Sequence, residues 1–201
     1  MLLHYMFDRN NKISYMEIGS NEPTICNNTY YFYRKGGQGV LVDPNPIFKE
    51  ITRKLRPRDI FLNVGISFSG EKSATYYDFD RALSGWNTFS KKMADSRNAP
   101  TPYRAIELPL VDVNDVLAKH FSNREIDFMS IDVEGLDMEI IKRMDWQKYR
   151  PRVFMTEIDH SQDGYIDSLN RFMELKDYRY VAGSWVNNIY VDTRFANFNQ
   201  L

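Results

Sequence analysis

Cysteine is all but absent. Cys26 is the single one among 201 residues, so no internal disulfide can form, and the expected setting is a reducing, cytoplasmic compartment. An excess of one charge is missing as well. Lys and Arg number 26 against 27 Asp and Glu, a formal net charge of -1, and without a basic surplus nucleic acid is excluded as the first-choice partner. No apolar run approaches the roughly 18 residues of a membrane span, and Met1-Leu2-Leu3-His4 has neither the basic start nor the long apolar core of a secretory leader. Internal repeats, low-complexity tracts and obvious linkers are lacking too, so one domain over residues 1–201 is expected. What is present is an ordinary globular balance, 43% hydrophobic and 26% charged, which excludes a wholly disordered or fibrous chain.

Strand-like and helix-like stretches alternate. Strands are predicted at 13–18, 40–42, 59–67, 74–79, 104–110, 126–132 and 153–158, the sixth of these apolar at Ile126, Phe128, Met129 and Ile131, as befits a strand covered on both faces. Residues 29–36 suit a short helix closed by glycine, its run of tyrosines packed against the sheet. After Pro46 a helix would place Ile47, Ile51 and Leu55 on one apolar face at spacings of four. Further helices follow at 112–120, around the stripe Leu136, Ile140, Ile141 and Met144, and around Ile166, Leu169 and Met173. The chain ends in two strand patterns flanking Gly183-Ser184, a hairpin signal. The pattern predicts an α/β fold with a mostly parallel, doubly wound sheet and a C-terminal antiparallel hairpin. Residues 81–103 keep no period. A connection of that length is a covering or binding loop, or else is disordered. Trp86 and Phe89 within it stack on a ligand ring or anchor the loop.

Ligands of an open α/β sheet bind at the carboxyl ends of its strands. Five of those ends carry acids or amides here. The first runs into Glu17, Gly19 and Asn21, and the second ends in Asp43, about two dozen residues further on, the spacing at which an acid accepts from ribose hydroxyls. A dinucleotide site wants three glycines in G-x-G-x-x-G, and only Gly19 is present. A carboxylate at Glu17 disfavours a pyrophosphate and favours a cationic ligand such as S-adenosylmethionine. The third end offers Asn63 and Val64 to an adenine edge. The fourth, Asp132-Val-Glu134-Gly, places two carboxylates beside a helix start, where capping is the plain alternative to catalysis. The fifth adds Glu157, Asp159 and His160.

Several segments together resemble the FkbM-type S-adenosylmethionine-dependent methyltransferases. They are Glu17-Ile-Gly-Ser-Asn-Glu-Pro, Asn28-Thr-Tyr-Tyr-Phe, Val42-Asp-Pro-Asn-Pro, Arg56-Pro-Arg-Asp-Ile-Phe-Leu-Asn-Val-Gly-Ile-Ser, Asn87-Thr-Phe-Ser, Ile126-Asp-Phe-Met-Ser-Ile-Asp-Val-Glu-Gly-Leu-Asp and Tyr149-Arg-Pro-Arg-Val, in order over residues 14–157. The resemblance implies a Rossmann-like class I methyltransferase sheet and O-methylation of a sugar, glycan or natural-product hydroxyl. It also places Asn28 and Thr29 near the methionine end of the cofactor. Glu17 stands where Asp is more usual and Asp43 where Glu is more usual; both keep the charge and change reach by one methylene. The chain starts about a dozen residues before the first strand, so an N-terminal substrate-covering segment is expected to be short or missing.

The expected cofactor-binding set is therefore Glu17, Gly19, Asn21, Asn28, Thr29, Asp43, Asn63, Val64 and Asp132. Attack by an alcohol needs a general base or a metal. The candidate bases are His160, Glu134 and Asp132. A second route holds Mg2+ on the hard oxygen ligands Asp132, Glu157 and Asp159. The acceptor is expected to be a small molecule or glycan. Pairing of two copies through the C-terminal aromatics Phe195 and Phe198, expected to be exposed, is left open. Two other classes compete: a relative that binds S-adenosylmethionine without turnover, and a nicotinamide-dependent oxidoreductase.

Overall fold

Seven strands form the central sheet of the computed structural model, which describes Phe7 and residues 12–79, 81–133 and 135–195, the side chains of 81–83 excepted. His4, Glu134 and Phe198 lie outside the described residues. In chain order the strands are β1 (Ser14–Ile18), β2 (Gln38–Val42), β3 (Ile60–Leu62), β4 (Gly65–Ser67), β5 (Ser73–Asp78), β6 (Arg104–Asp112), β7 (Phe128–Ile131), β8 (Val153–Glu157), β9 (Tyr178–Gly183) and β10 (Asn187–Asp192). The central sheet runs β3-β2-β1-β7-β8-β10-β9, and β4, β6 and β5 make a small second sheet. Strands β3 to β8 of the central sheet are parallel, and β10 is antiparallel to both β8 and β9. Strand order reverses between β1 and β7, the place where such sheets open a crevice.

Both faces of the sheet are buried, which explains the continuous apolar runs. Tyr15, Leu41, Phe128, Val153 and Met155 pack on one face with Phe32 and Tyr33 from helix α1 (Tyr30–Arg34). Met16, Ile18, Val40, Met129, Ile131 and Phe154 pack on the other. There they meet α4 (Val113–Phe121), α5 (Asp137–Arg143) and α6 (Tyr165–Glu174) through Leu117, Phe121, Ile141, Leu169 and Met173. Tyr31, on the outer side of α1, stays exposed.

Three expectations need correction. The apolar face assigned to the helix after Pro46 is not the buried one. In α2 (Ile47–Leu55) Phe48 and Thr52 are buried, whereas Ile47 is 40% and Leu55 50% exposed. Phe48, Thr52 and Arg56 also recur at spacings of four, and the phenyl ring together with the multiply bonded Arg56 outweighs three aliphatic groups. Residues 59–67 do not form one strand. They break at Asn63, whose amide donates to the carbonyls of Asp43 (3.0 Å) and Pro44 (2.8 Å), and the chain steps from β3 into the other sheet as β4. Finally, Phe195 is half-buried, with the Arg152 guanidinium 4.7 Å from its ring centroid, and is not the free aromatic expected there. The aperiodic segment after β5 contains a 3-10 helix (Arg81–Trp86) and the short α3 (Lys91–Ser96), capped by Ser90.

Candidate cofactor and acceptor cavity

A cavity of about 850 Å³ opens over the carboxyl ends of β1, β2, β7 and β8, within the range of small-molecule and cofactor sites. Glu17, Gly19, Asn21, Asn28, Asp43, Val64 and Asp132 line it, together with Glu157, Asp159 and His160. Thr29 and Asn63 stand behind this wall, each holding a residue or segment that lines it. Glu134 lies outside the described residues.

Glu17 is 1% exposed. Register places it between Leu41 of β2 and Ser130 of β7, at the centre of the sheet. Its carboxyl accepts the Asn28 backbone N–H (3.0 Å) and the Thr29 hydroxyl (2.5 Å). Burial pushes its pKa up to about 7, against those bonds and the nearby Arg56 charge. Asp43 accepts the backbone N–H groups of Asn21 (2.6 Å) and Asn45 (2.8 Å), and burial lifts it to about 6. Asn21 reaches that bond in a left-handed conformation, φ 46. Gly19 adopts φ 81, and a Cβ there would sit 1.7 Å from the Asp132 carbonyl oxygen. Glycine is thus required both by backbone conformation and by the close approach of the β7 end.

Asp132 and Glu157 terminate neighbouring strands and are hydrogen-bonded to each other, and burial raises the Asp132 pKa. The Asp132 carboxyl does not cap the following helix. Asp137, the first residue of α5, instead accepts the backbone N–H groups of Val133 and Gly135, both at 3.3 Å. Burial and the Asp132 charge push Asp137 up to about 7.

The geometry does not support the magnesium expectation. Asp159 spends its oxygens on its own turn, accepting from the Ser161 N–H (2.9 Å), the Ser161 hydroxyl (2.6 Å) and the Gln162 amide (2.6 Å). Those bonds, led by the Ser161 hydroxyl, hold its pKa below the usual range. Asp132 and Glu157 face each other. Among the described residues no three His, Cys, Asp or Glu side chains converge to hold a metal ion.

His160 is exposed at the cavity mouth. Its ring stacks on Trp185, centroids 4.4 Å apart and planes at 18°. Its Nε2 lies 2.5 Å from the Trp185 carbonyl oxygen.

Some residues of the site were not singled out from the sequence. Tyr76 is 4% exposed, lines the cavity near Asp43 and bonds Asn87. Its ring lies 4.9 Å from Phe89. Alternation along β5 was the available signal, since Tyr76 and Asp78 point inward. Phe89 lines the cavity, while Trp86 packs against Phe79 and anchors the segment. Arg56, 0% exposed, belongs to one of the resembling segments, which by itself implies no role for it. It donates to Thr29 Oγ1 (2.8 Å), Asn27 Oδ1 (2.7 Å), the Pro23 carbonyl (3.1 Å) and Asp59 (2.7 Å). Through these bonds it ties the loop before α1 to the sheet beneath Glu17. Its signal was the spacing of four from Phe48 and Thr52.

No curated protein matches the sequence significantly. The fold is similar to that of a TehB-like SAM-dependent methyltransferase from Corynebacterium glutamicum. The TM-score is 0.50 at 10% identity, over 96% of this chain and 85% of that one. The fibrillarin pre-rRNA processing protein of Methanococcus jannaschii aligns with a TM-score of 0.49 at 11% identity, over 92% of this chain and 69% of that one. Among the described residues no helix is long and apolar enough to cross a membrane. The sequence profile of the methyltransferase FkbM domain matches residues 17–180, a stretch that contains every lining acid described above, from Glu17 to Asp159, and so the chain belongs to the FkbM methyltransferase family.

Proposed function

We propose that this methyltransferase moves the methyl group of S-adenosylmethionine to a hydroxyl of a sugar, glycan or natural product. One observation carries the reading: Glu17, Asp43 and Asp132, on three neighbouring parallel strands, open into a single cavity. The donor set fits the cofactor. Asp43 has lone pairs left for ribose hydroxyls after its two backbone bonds, and the Glu17 side of the cavity suits a cationic ammonium or sulfonium group. Gly19, Asn21 and Asn28 border the same end. Thr29 acts through Glu17, and Asn63 through the turn that carries Asp43. Val64, on the cavity wall, is the residue we assign to the adenine edge.

When bound, the cofactor supplies an already activated methyl group. The protein's part is to align an acceptor hydroxyl and remove its proton, because an alcohol, like water with its pKa of about 15.7, is scarcely ionised at neutral pH. His160 is the base we assign. It lines the cavity on the side away from Asp43, beyond the β8 end. The Asp132–Glu157 pair keeps that side of the cavity acidic and orders the β7 end. Residues 81–103 form the cover over the acceptor, with Ser84, Asn87, Phe89 and Met93 on the cavity wall.

Calorimetry with S-adenosylhomocysteine and with NAD tests the cofactor, and mass spectrometry of hydroxyl acceptors incubated with S-adenosylmethionine tests the transfer. Binding of NAD alone would sink the reading. A product carrying the new methyl on nitrogen would replace its oxygen chemistry.

A further inference from the structure

We propose that Trp185 is the positioning residue for His160, fixing which imidazole nitrogen is free to take a proton; this rests on the reading of His160 as the base. Trp185 stands at the tip of the β9–β10 hairpin and is 79% exposed. An indole so placed adds little to the core, and among the described residues its one ring partner is His160. The tip itself is held firmly. Ser184 Oγ accepts the N–H groups of Val186 (3.2 Å) and Asn187 (3.0 Å), and Ser184 N–H donates to the Asn187 carbonyl (2.8 Å). The Ile158 N–H donates to the Val186 carbonyl (2.9 Å), which joins the tip to the chain two residues before His160.

Two contacts therefore act on one ring from different directions. The indole covers a face of the imidazole, and the Trp185 carbonyl meets its Nε2. A carbonyl oxygen can only accept, so Nε2 carries the hydrogen and the neutral ring keeps its lone pair on Nδ1. A base needs its tautomer fixed in just this way; in serine hydrolases a carboxylate does the orienting. Here a backbone carbonyl supplies the bond and the indole face keeps the ring from turning off it. His160 and Val186 both line the cavity, so the oriented ring stands at its mouth.

The test uses the full chain with 15N-labelled histidine rings and two-bond 1H–15N correlation spectra, the His160 signals being identified by their loss in His160→Gln. The expected wild-type pattern is the Nε2–H tautomer. Stacking of this kind is worth about 2- to 10-fold in an equilibrium. Trp185→Ala should shift the tautomer ratio towards a mixture by that factor, and Trp185→Phe, which keeps an aromatic face, should restore it. S-adenosylhomocysteine affinity, measured on the same samples, should be equal in all three. A wild-type Nδ1–H tautomer, or a ratio unmoved by Trp185→Ala, overturns the proposal while leaving the methyltransferase reading intact. A wild-type protein that does not bind S-adenosylhomocysteine overturns the reading, and the proposal with it.

Discussion

Asp132 and Glu157 close the ends of adjacent parallel strands with a hydrogen bond between their carboxyl groups. Two carboxylates cannot share such a bond unless one holds a proton, and since the bond lowers the Asp132 pKa against the effect of burial, Asp132 accepts and Glu157 donates. The folded pKa of Asp132 is raised, so the stability it contributes is complete at low pH and is lost as pH rises past its ordinary carboxylate value. Asp132→Asn supplies a permanent donor. The variant should melt a few degrees above the wild type at pH 8 and near it at pH 5. A melt at pH 8 that falls below the wild type would show that the pair does not share a proton. Asp137, relieved of a charged neighbour, should then titrate lower.

Glu17 sets a second pH dependence. Burial lifts it from an ordinary 4.5 to about 7, so the free protein should lose stability as pH rises from about 4.5 to 7. Asp43 adds the same sign between 3.8 and about 6. A cationic ligand group favours the ionised acid, so S-adenosylhomocysteine affinity should rise over the same interval, by at most about tenfold per pH unit for one proton. Glu17→Gln should flatten both curves. Calorimetry at pH 5.5, 6.5 and 7.5 checks the sign, and affinity independent of pH in the wild type would contradict it.

Arg56 and Asp59 form an ion pair with both side chains 0% exposed, 2.7 Å apart. Tyr15 donates its hydroxyl to the same carboxylate (2.8 Å), and Gly39 donates its N–H (2.8 Å). Removing one partner of a buried pair strands the other. Arg56→Met should cost about 3–5 kcal/mol in urea denaturation, and Arg56→Met with Asp59→Asn should recover part of it. Cofactor affinity should fall further than stability alone explains, because the loop that bonds Glu17 loses its anchor. A stability loss below about 1 kcal/mol would contradict the role given to this pair.

Helix α2 offers a direct check on packing. Phe48→Ala should cost about 3–5 kcal/mol, whereas Ile47→Ala on the exposed side should stay within about 0.5 kcal/mol. Phe48 also lines the cavity, so its loss should weaken cofactor binding. Equal effects at the two positions would restore the face read from Ile47, Ile51 and Leu55.

Much of the fold was legible because periodicity reports burial locally. A strand covered on both faces carries apolar side chains on each, and Phe128 on one face with Met129 and Ile131 on the other met that condition along β7. The acids at strand ends were legible for a related reason. In a parallel α/β sheet every carboxyl end faces the same side, so Glu17, Asp43 and Asp132 were bound to meet once the strands were recognised. Contacts between distant segments were not legible in this way. Neither the stack of Trp185 on His160 nor the bond of Asp132 to Glu157 leaves a periodic trace.

The sequence by itself determined the alternation of strands and helices, the apolar stripes and the chemistry present at each strand end, since these depend on neighbours within a few residues. Only the tertiary structure decided that Phe48 faces inward and Ile47 outward, that the chain breaks at Asn63, and that Asp159 satisfies itself within its own turn. It also decided that Arg56 is buried whole among tyrosines. Those outcomes turn on hydrogen bonds and ring contacts between segments far apart in the chain, whose energies exist only once the sheet has brought them together.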